Sequence, residues 1–272
     1  MGDQSRAGRR GLSDVAAVRA GRFGGRVPAG TDGPAYYATG RRGIRRDVVA
    51  LLHPPYTAWH LSYVLLGGLV VRSVHWGVLG ATVLAFFLAV GVAAHCLDEL
   101  RGRPLDTTLP TWTLVTAAAV ALAGAVTIGV VGVERIGPGL VGFVVVGAVL
   151  VLGYNLELFG GRIHTDLGFA LAWGAFPVLT AAYAQAGDIP PAAVALAVAA
   201  ALVSGAQRAL STPARMLRRR GARVEGSVVM KDGTVIPLDR ATLLAPLEAT
   251  LRLLSWAVMA LALTLVLAHL WR

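Results

Sequence analysis

The feature that most constrains this chain is a series of long apolar runs that contain almost no charged residues. A helix that crosses a bilayer needs about 20 mainly apolar residues, and its backbone must form all of its hydrogen bonds internally. The runs that approach this length are residues 56–72, 77–97, 111–132, 138–155, 167–186, 191–209 and 250–270. We therefore predict an all-α polytopic transmembrane helical bundle with about seven spans.

The composition favours a membrane protein over a soluble one. Charged residues make up 15% of the 272 residues, whereas a soluble domain contains roughly a quarter. The net charge is +10, which we interpret as a basic surface beside anionic lipid, with no nucleic acid partner expected. The single cysteine, Cys96, excludes an internal disulfide.

Basic residues are distributed unequally between alternate gaps. The segment before the first run and the gaps after the second, fourth and sixth runs hold nearly all of the Arg and Lys. The opposite gaps hold only Arg72 and Arg135, and Arg272 ends the chain. The positive-inside rule therefore predicts an integral protein of a bacterial-type plasma membrane, with the N-terminus in the cytoplasm and the C-terminus outside.

The chain before the first span differs in composition from the rest. Residues 1–45 are rich in Gly and Arg and poor in apolar residues, which predicts a disordered basic leader. No secretory signal peptide is recognisable in it. Residues 46–272 are predicted to form the transmembrane helical domain, and a short interfacial helix is expected over residues 43–55.

The last charged gap, at about residues 211–240, predicts a small folded insert on the cytoplasmic side. Thr212 and Pro213 have the pattern of an N-cap and a first-turn proline, so we expect a basic helix to begin there. Short β-prone segments then flank Asp232 and Gly233, a pair that is typical of the turn in a β-hairpin.

A first polar cluster ends the second span. His95 lies one helical turn from both Asp98 and Glu99. Hard cations such as Mg²⁺ bind through one or two carboxylates and substrate phosphates. Asp98 and Glu99 are therefore the predicted metal ligands and, with His95, the predicted catalytic residues. Arg101 and Arg103 are predicted to bind an anionic substrate, and a self-neutralising cluster of salt bridges is the alternative interpretation.

A second polar cluster lies between the fourth and fifth spans, on the same predicted face. Its candidate substrate-binding residues are Tyr154, Asn155, Arg162 and His164. Thr165 or Asp166 is expected to cap the following helix. Such a cap explains one of those two residues but leaves the rest of the cluster for another role.

A third cluster follows the sixth span and is basic. Arg208 and Arg215 suit a phosphate or a lipid headgroup, and the alternative is ordinary positive-inside charge. A separate pair, His53 and His60, is spaced so that both lie on one helix face. We interpret His60 as a hydrogen-bonded packing residue of the first span.

The order of these spans and loops resembles the UbiA-type prenyltransferase superfamily. The resemblance rests on the acidic motif and Arg103-Pro104-Leu105 after span two, on Tyr154 ending span four, and on Ala172-Trp173-Gly174 and Pro177 in span five. It implies an all-helical membrane enzyme that binds a polyprenyl diphosphate through Mg²⁺ held by two Asp-rich loops. Such an enzyme transfers the prenyl group to an acceptor.

The chain departs from this family after span six, where the second Asp-rich motif belongs. No Asp or Glu lies between Asp188 and Glu225. Arg208 and Arg215 lie there instead, and arginines neutralise and orient a diphosphate by bidentate hydrogen bonds. With Arg103, they are expected to replace the second metal.

Other functions stay open at this point. A non-catalytic or accessory membrane protein would keep the fold and bind an isoprenoid. A metalloenzyme would use His95, Asp98, His164 and Asp166. A transporter is disfavoured, because ionisable residues are nearly absent from the middle of the spans. The transferase hypothesis requires the three polar clusters to converge on one pocket.

Overall fold

A computed structural model describes Ala35, Tyr37 and residues 43–221 and 223–271. The predicted leader, residues 1–45, lies outside this part of the chain except for Ala35, Tyr37 and residues 43–45. Of the residues that the structure describes, 76% are helical, and they include one small two-stranded sheet. This confirms an all-α bundle with a short β insert.

The described residues form eight helices of six or more residues and two strands. They are α1 Ile44–Leu52, α2 Pro54–Leu69, α3 Trp76–Leu100, α4 Thr111–Ile136, α5 Leu140–Asn155, α6 Asp166–Ala186, α7 Pro191–Arg219, β1 Ser227–Val229, β2 Val235–Pro237 and α8 Arg240–Leu270. Each predicted apolar run coincides with one of the helices from α2 to α8. Helix α1 corresponds to the expected interfacial helix.

Five of these helices, α3, α4, α6, α7 and α8, are long and apolar enough to cross a membrane. Helices α2 and α5 have 16 residues each, which is shorter than the roughly 20 residues that a span requires. The membrane character of the chain therefore has a structural basis in five helices, and the number of spans stays a prediction.

Helix α2 occupies the centre of one half of the bundle and packs against α6 and α8. Its fully buried Trp59 contributes to an apolar core with Val178 of α6 and Val258 of α8. The backbones of α2 and α6 approach so closely that a Cβ on Gly67 would collide with the Val178 carbonyl. The glycine is therefore required for α2 to reach this position.

The loop after α3 is held by a buried carboxylate. The side chain of Glu99 is fully buried. Its Oε2 accepts a hydrogen bond from the Leu105 N–H (2.9 Å), and its Oε1 accepts from the Thr107 N–H (3.0 Å) and hydroxyl (2.7 Å). Since buried backbone donors need acceptors, this one side chain fixes the path of the loop toward α4.

A second buried carboxylate ties the same loop to α1. Asp47 Oδ2 accepts from the Thr108 N–H (2.8 Å) and hydroxyl (2.6 Å). Its other oxygen pairs with Arg46 at 3.0 Å, and the Arg46 guanidinium also donates to the Leu105 carbonyl (3.0 Å). Helix α1 is thereby fixed beneath the end of α3.

The expected helix start at Thr212 and Pro213 is wrong, because α7 continues through Pro213 to Arg219. Proline lacks one helical donor, yet the segment stays packed. Ala214 is buried with Leu251 of α8. Burial against α8 on this side of the helix therefore outweighs the missing hydrogen bond.

The predicted hairpin is present. Strands β1 and β2 pair antiparallel, with Val228 opposite Ile236. Gly233 has a φ of 82°, a left-handed conformation that glycine adopts without a steric penalty. All six strand residues are exposed, so the hairpin lies outside the packed bundle.

Candidate functional site

A cavity of about 760 Å³ opens at the end of the bundle where the polar loops meet. We call this end the charged end. The volume lies within the range of small-molecule sites, roughly 300–1,000 Å³. The polar side chains that line the cavity are Tyr37, His53, Tyr56, His60, His95, Asp98, Arg101, Tyr154, Asn155, Glu157, His164, Gln207, Arg208, Ser211, Arg215, Arg218, Arg219, Arg220 and Glu248.

The cavity brings together residues from all three polar clusters of the sequence. The candidate site residues that line it are His95, Asp98, Arg101, Tyr154, Asn155, His164, Arg208 and Arg215. Glu99, Arg103 and Arg162 lie outside its lining. The convergence required by the transferase hypothesis is thus found for most of the candidate residues, although not for both carboxylates.

The residues outside the cavity have other environments. The Glu99 carboxylate accepts hydrogen bonds within the loop after α3, as described above. Arg103 donates to the Leu109 carbonyl (2.6 Å) and to the Thr111 hydroxyl (3.0 Å). Arg162 is exposed. We therefore exclude these three residues from the candidate site.

Asp98 is the carboxylate of the α3 cluster that faces the cavity. Among the described residues, no side chain donates a hydrogen bond to it. It lies in the electrostatic field of Arg219, Arg215 and His164. A carboxylate with its lone pairs uncommitted in a basic cavity is suited to bind a cation together with an anionic ligand.

Two arginines in the lining are paired with acidic residues that also line the cavity. Arg101 Nη2 lies 2.8 Å from Glu157 Oε2, and both side chains are nearly half exposed. Arg218 and Glu248 form a bidentate pair between α7 and α8, in which both side chains are buried. These pairs stabilise the walls of the cavity and leave little charge for a ligand.

Arg208 pairs with an acidic residue that is much more exposed to solvent. Thr165 caps α6 by accepting from the Gly168 N–H (2.9 Å), so Asp166 is not needed as the cap. Asp166 lies 3.0 Å from Arg208 Nε instead. The Asp166 side chain is 83% exposed, so solvent screens this pair and it is easily exchanged for a stronger anion.

Arg215 is the cation most available to a ligand. Among the described residues it forms no ion pair, and its guanidinium donates a long hydrogen bond to the Thr212 hydroxyl (3.4 Å). The charges of Arg208 and Arg219 act on it repulsively. A cluster of like charges in a partly enclosed cavity concentrates positive potential and favours an anion.

Three histidines in the lining share one protonation pattern. His60 Nδ1 lies 2.6 Å from the Tyr56 carbonyl, His95 Nδ1 lies 3.1 Å from the Gly91 carbonyl and His164 Nδ1 lies 3.2 Å from the Tyr154 carbonyl. A carbonyl oxygen only accepts, so each Nδ1 carries a proton. A neutral ring then presents Nε2 as an acceptor.

His53 lines the cavity between α1 and α2. Its ring centroid is 4.6 Å from that of His95, and the Tyr37 hydroxyl lies 3.0 Å from its Nδ1. Burial, reinforced by the charges of His95 and Arg219, holds the pKa of His53 well below its ordinary value of 6.5. The ring is therefore neutral near pH 7.

Two π-helical segments form part of the cavity wall, and sequence reasoning missed both. Phe87–Ala94 in α3 and Leu171–Ala175 in α6 follow a wider hydrogen-bond pattern than the α-helix. Such segments are rare and are frequently found at functional sites. They bring Val90 and Trp173 to the cavity.

A second cavity of about 360 Å³ lies between α3, α4, α5 and α6 and is lined almost entirely by apolar side chains. Val90 and Trp173 line both cavities. The polar cavity at the charged end and the apolar cleft are therefore adjacent, and one residue of each π-helical segment lies in both linings.

No known protein family, curated protein or solved structure matches this chain. Within residues 43–221 and 223–271, no three His, Cys, Asp or Glu side chains are grouped so that they could hold a metal ion. A functional assignment must therefore start from the geometry of the polar cavity and the apolar cleft.

Proposed function

We propose that this chain is an integral plasma-membrane protein that binds a polyprenyl diphosphate and transfers its prenyl group to an acceptor. The charged end faces the cytoplasm in this proposal, with the N-terminus inside and the C-terminus outside. The observation that carries the proposal is the basic polar cavity that shares a wall with an apolar cleft. A ligand with an anionic head and a long apolar chain matches this pair of environments.

Arg215 and Arg208 are the proposed headgroup ligands. Guanidinium groups bind phosphate oxygens through two parallel charge-assisted hydrogen bonds. Arg215 has no acidic partner among the described residues, and Asp166, the partner of Arg208, is highly exposed. A diphosphate that displaced Asp166 would form ion pairs with both arginines, and loss of the weak Arg208–Asp166 pair would cost little free energy.

The apolar cleft is the proposed site of the isoprenoid chain. Its lining includes Phe86, Phe143 and Phe176, whose side chains present no polar atoms. Burial of a chain there gains roughly 25 cal/mol per Å² of apolar surface. Val90 and Trp173, which line both cavities, would lie beside the carbon that joins the chain to the diphosphate.

Asp98 fits a single Mg²⁺ held jointly with the substrate. Mg²⁺ keeps several waters and uses one or two carboxylates plus substrate phosphates. The Asp98 carboxylate is uncommitted, whereas Glu157 and Glu248 are paired with arginines. When bound, Mg²⁺ would neutralise charge on the diphosphate.

In the proposed reaction the bond between the prenyl C1 and the diphosphate oxygen breaks, and the electron pair leaves with the diphosphate. A new bond forms between C1 and the acceptor oxygen, and the released diphosphate takes up the acceptor's proton. Arg215 and Arg208 stabilise the charge that develops on the leaving group. Electrostatic stabilisation of this kind is commonly the largest contribution to catalysis.

Replacing Arg215 with Ala tests the headgroup site. We expect the affinity for geranylgeranyl diphosphate to fall about tenfold or more, because a hydrogen bond to a charged group contributes roughly 1.5–3 kcal/mol. The measurement is equilibrium binding to the purified protein in detergent. Lys231→Ala, which removes an exposed charge from the hairpin turn, is the matched control and should bind normally. Equal affinities for the two variants would contradict the proposed headgroup site.

A second candidate function is a non-catalytic protein that binds an isoprenoid. The pairing of Arg101 with Glu157 and of Arg218 with Glu248 favours it, because charges that neutralise one another stabilise a fold without acting on a substrate. This candidate predicts binding of the diphosphate with no transfer to any acceptor in a total lipid extract.

A further inference from the structure

Three buried polar atoms on the wall of the polar cavity have no hydrogen-bond partner among the described residues. They are His60 Nε2, the Tyr154 hydroxyl and Gln207 Oε1. Their residues are 6%, 5% and 3% exposed, and all three line the cavity. Buried polar atoms are nearly always hydrogen-bonded, so this concentration of unpartnered atoms marks a place on the cavity wall where a polar ligand can bind.

The chemistry of the three atoms limits what can satisfy them. The Nδ1 proton of His60 is donated to the Tyr56 carbonyl (2.6 Å), so Nε2 of the neutral ring only accepts. Gln207 Oε1 is also an acceptor, and the Tyr154 hydroxyl either donates or accepts. A ligand that satisfies the set must therefore bring at least two O–H or N–H donors.

This set is more buried than the arginines at the end of α7, Arg215, Arg219 and Arg220. Arg219 and Arg220 are exposed, Arg215 is half-buried and Gln207 is buried, so burial along α7 increases away from the charged end. His60, on α2, is likewise buried, whereas His53, just before α2, is half-buried. We call the wall formed by His60, Tyr154 and Gln207 the deep wall.

The deep wall is unsuited to a phosphate. His60 Nε2 and Gln207 Oε1 would face anionic phosphate oxygens with no hydrogen atom between them. Burying acceptors that face one another without a hydrogen bond destabilises the complex. Arg215, which is less buried, and Arg208, whose guanidinium reaches the exposed Asp166, are suited to the anion. The polar cavity is therefore divided into an outer anionic subsite and an inner subsite for a neutral hydrogen-bond donor.

Aromatic rings surround the inner subsite. Trp173 contacts His60 and Tyr154 edge to face, with ring centroids 6.1 Å and 5.6 Å apart. Tyr154 also stacks on His164 at 4.3 Å. Apolar ring faces combined with a few fixed polar atoms are typical of sites that bind small neutral molecules.

We infer that the deep wall binds a neutral, hydroxyl-rich group of the sugar or polyol class, which donates to His60 Nε2 and Gln207 Oε1. Within the proposed function this group belongs to the acceptor of the prenyl chain. That role rests on the proposed function, whereas the binding itself does not. The inference assigns His60 to ligand binding, in contrast to the packing role expected from the sequence.

The test uses methyl β-D-glucopyranoside and its fully O-methylated analogue, which has the same ring but no donors. Saturation-transfer NMR on the full-length protein in lipid nanodiscs measures binding of both probes. We expect the glucoside to bind and the methylated analogue not to bind. His60→Phe and Gln207→Leu should each weaken glucoside binding about tenfold, because each removes a buried acceptor.

His269→Phe is the matched control. His269 makes the same Nδ1 contact, to the Leu265 carbonyl (2.9 Å), but it does not line the cavity. This variant should bind the glucoside like the wild type. A thermal unfolding midpoint close to that of the wild type verifies that each variant is folded.

Three results would overturn the inference: no binding of the glucoside to the wild type, equal binding of the methylated analogue, or normal glucoside binding by His60→Phe and Gln207→Leu. The proposed function fails separately. Absence of geranylgeranyl diphosphate binding would refute the proposed function, and glucoside binding through the deep wall would still stand.

Discussion

Replacing Glu99 with Ala is expected to lower the free energy of unfolding by about 3 kcal/mol or more, because unsatisfied buried donors cost roughly 1–3 kcal/mol each. The Leu105 N–H, the Thr107 N–H and the Thr107 hydroxyl all lose their acceptor. The loop that leads from α3 to α4 then loses the contact that fixes its path. The effect follows from burial and does not depend on any ligand.

The stability of the Glu99 variant is measured by thermal or denaturant unfolding of the purified protein in detergent. Glu225→Ala is the control, because Glu225 is exposed and pairs only with the exposed Arg223, an interaction worth at most about 1 kcal/mol. A Glu99 variant that is as stable as the wild type but has lost Mg²⁺-dependent transfer would instead support the metal-ligand role expected from the sequence.

Replacing Asp98 with Asn is expected to reduce the rate of prenyl transfer by about 100-fold or more, because in the proposed function this carboxylate holds the Mg²⁺ that supplies several kcal/mol of charge stabilisation. The amide has almost the same shape, and the carboxylate accepts no hydrogen bond from the described residues. The fold should therefore be preserved, and the loss should appear in the chemical step.

The rate is measured as release of diphosphate from geranylgeranyl diphosphate in the presence of a total lipid extract. Asp188→Asn, an exposed change outside the polar cavity, is the matched control and should leave the rate unchanged. Normal transfer by Asp98→Asn together with loss of transfer in Arg215→Ala would mean that arginines alone activate the leaving group.

The helices and the hairpin could be predicted because their signals are local. Apolar runs require internal backbone hydrogen bonds in lipid, and Asp232 and Gly233 specify a turn whatever surrounds them. The convergence of the polar clusters also followed from the sequence, since alternate gaps share one face of a bundle. The positions of these residues along the chain are therefore sufficient to predict these features.

The separate roles of Asp98 and Glu99 could not be predicted, because neighbours on a helix point in different directions and only tertiary packing decides which one meets the loop. The same limit applies to Pro213, where burial of the adjoining turn keeps α7 intact, and to the π-helical segments, which carry no recognised local signal. The sequence indicates only a packing role for His60, because the lack of a partner for its Nε2 can be recognised only in the folded deep wall.

The most direct test of the proposed function is binding of geranylgeranyl diphosphate and of geranylgeraniol to the purified wild-type protein, with and without Mg²⁺. The two probes share a chain and differ in the headgroup. We expect the diphosphate to bind at least about tenfold more tightly, as charge-assisted hydrogen bonds imply, and Mg²⁺ to strengthen its binding further. Equal affinities, or no binding of either probe, would contradict the assignment of the polar cavity to a polyprenyl diphosphate.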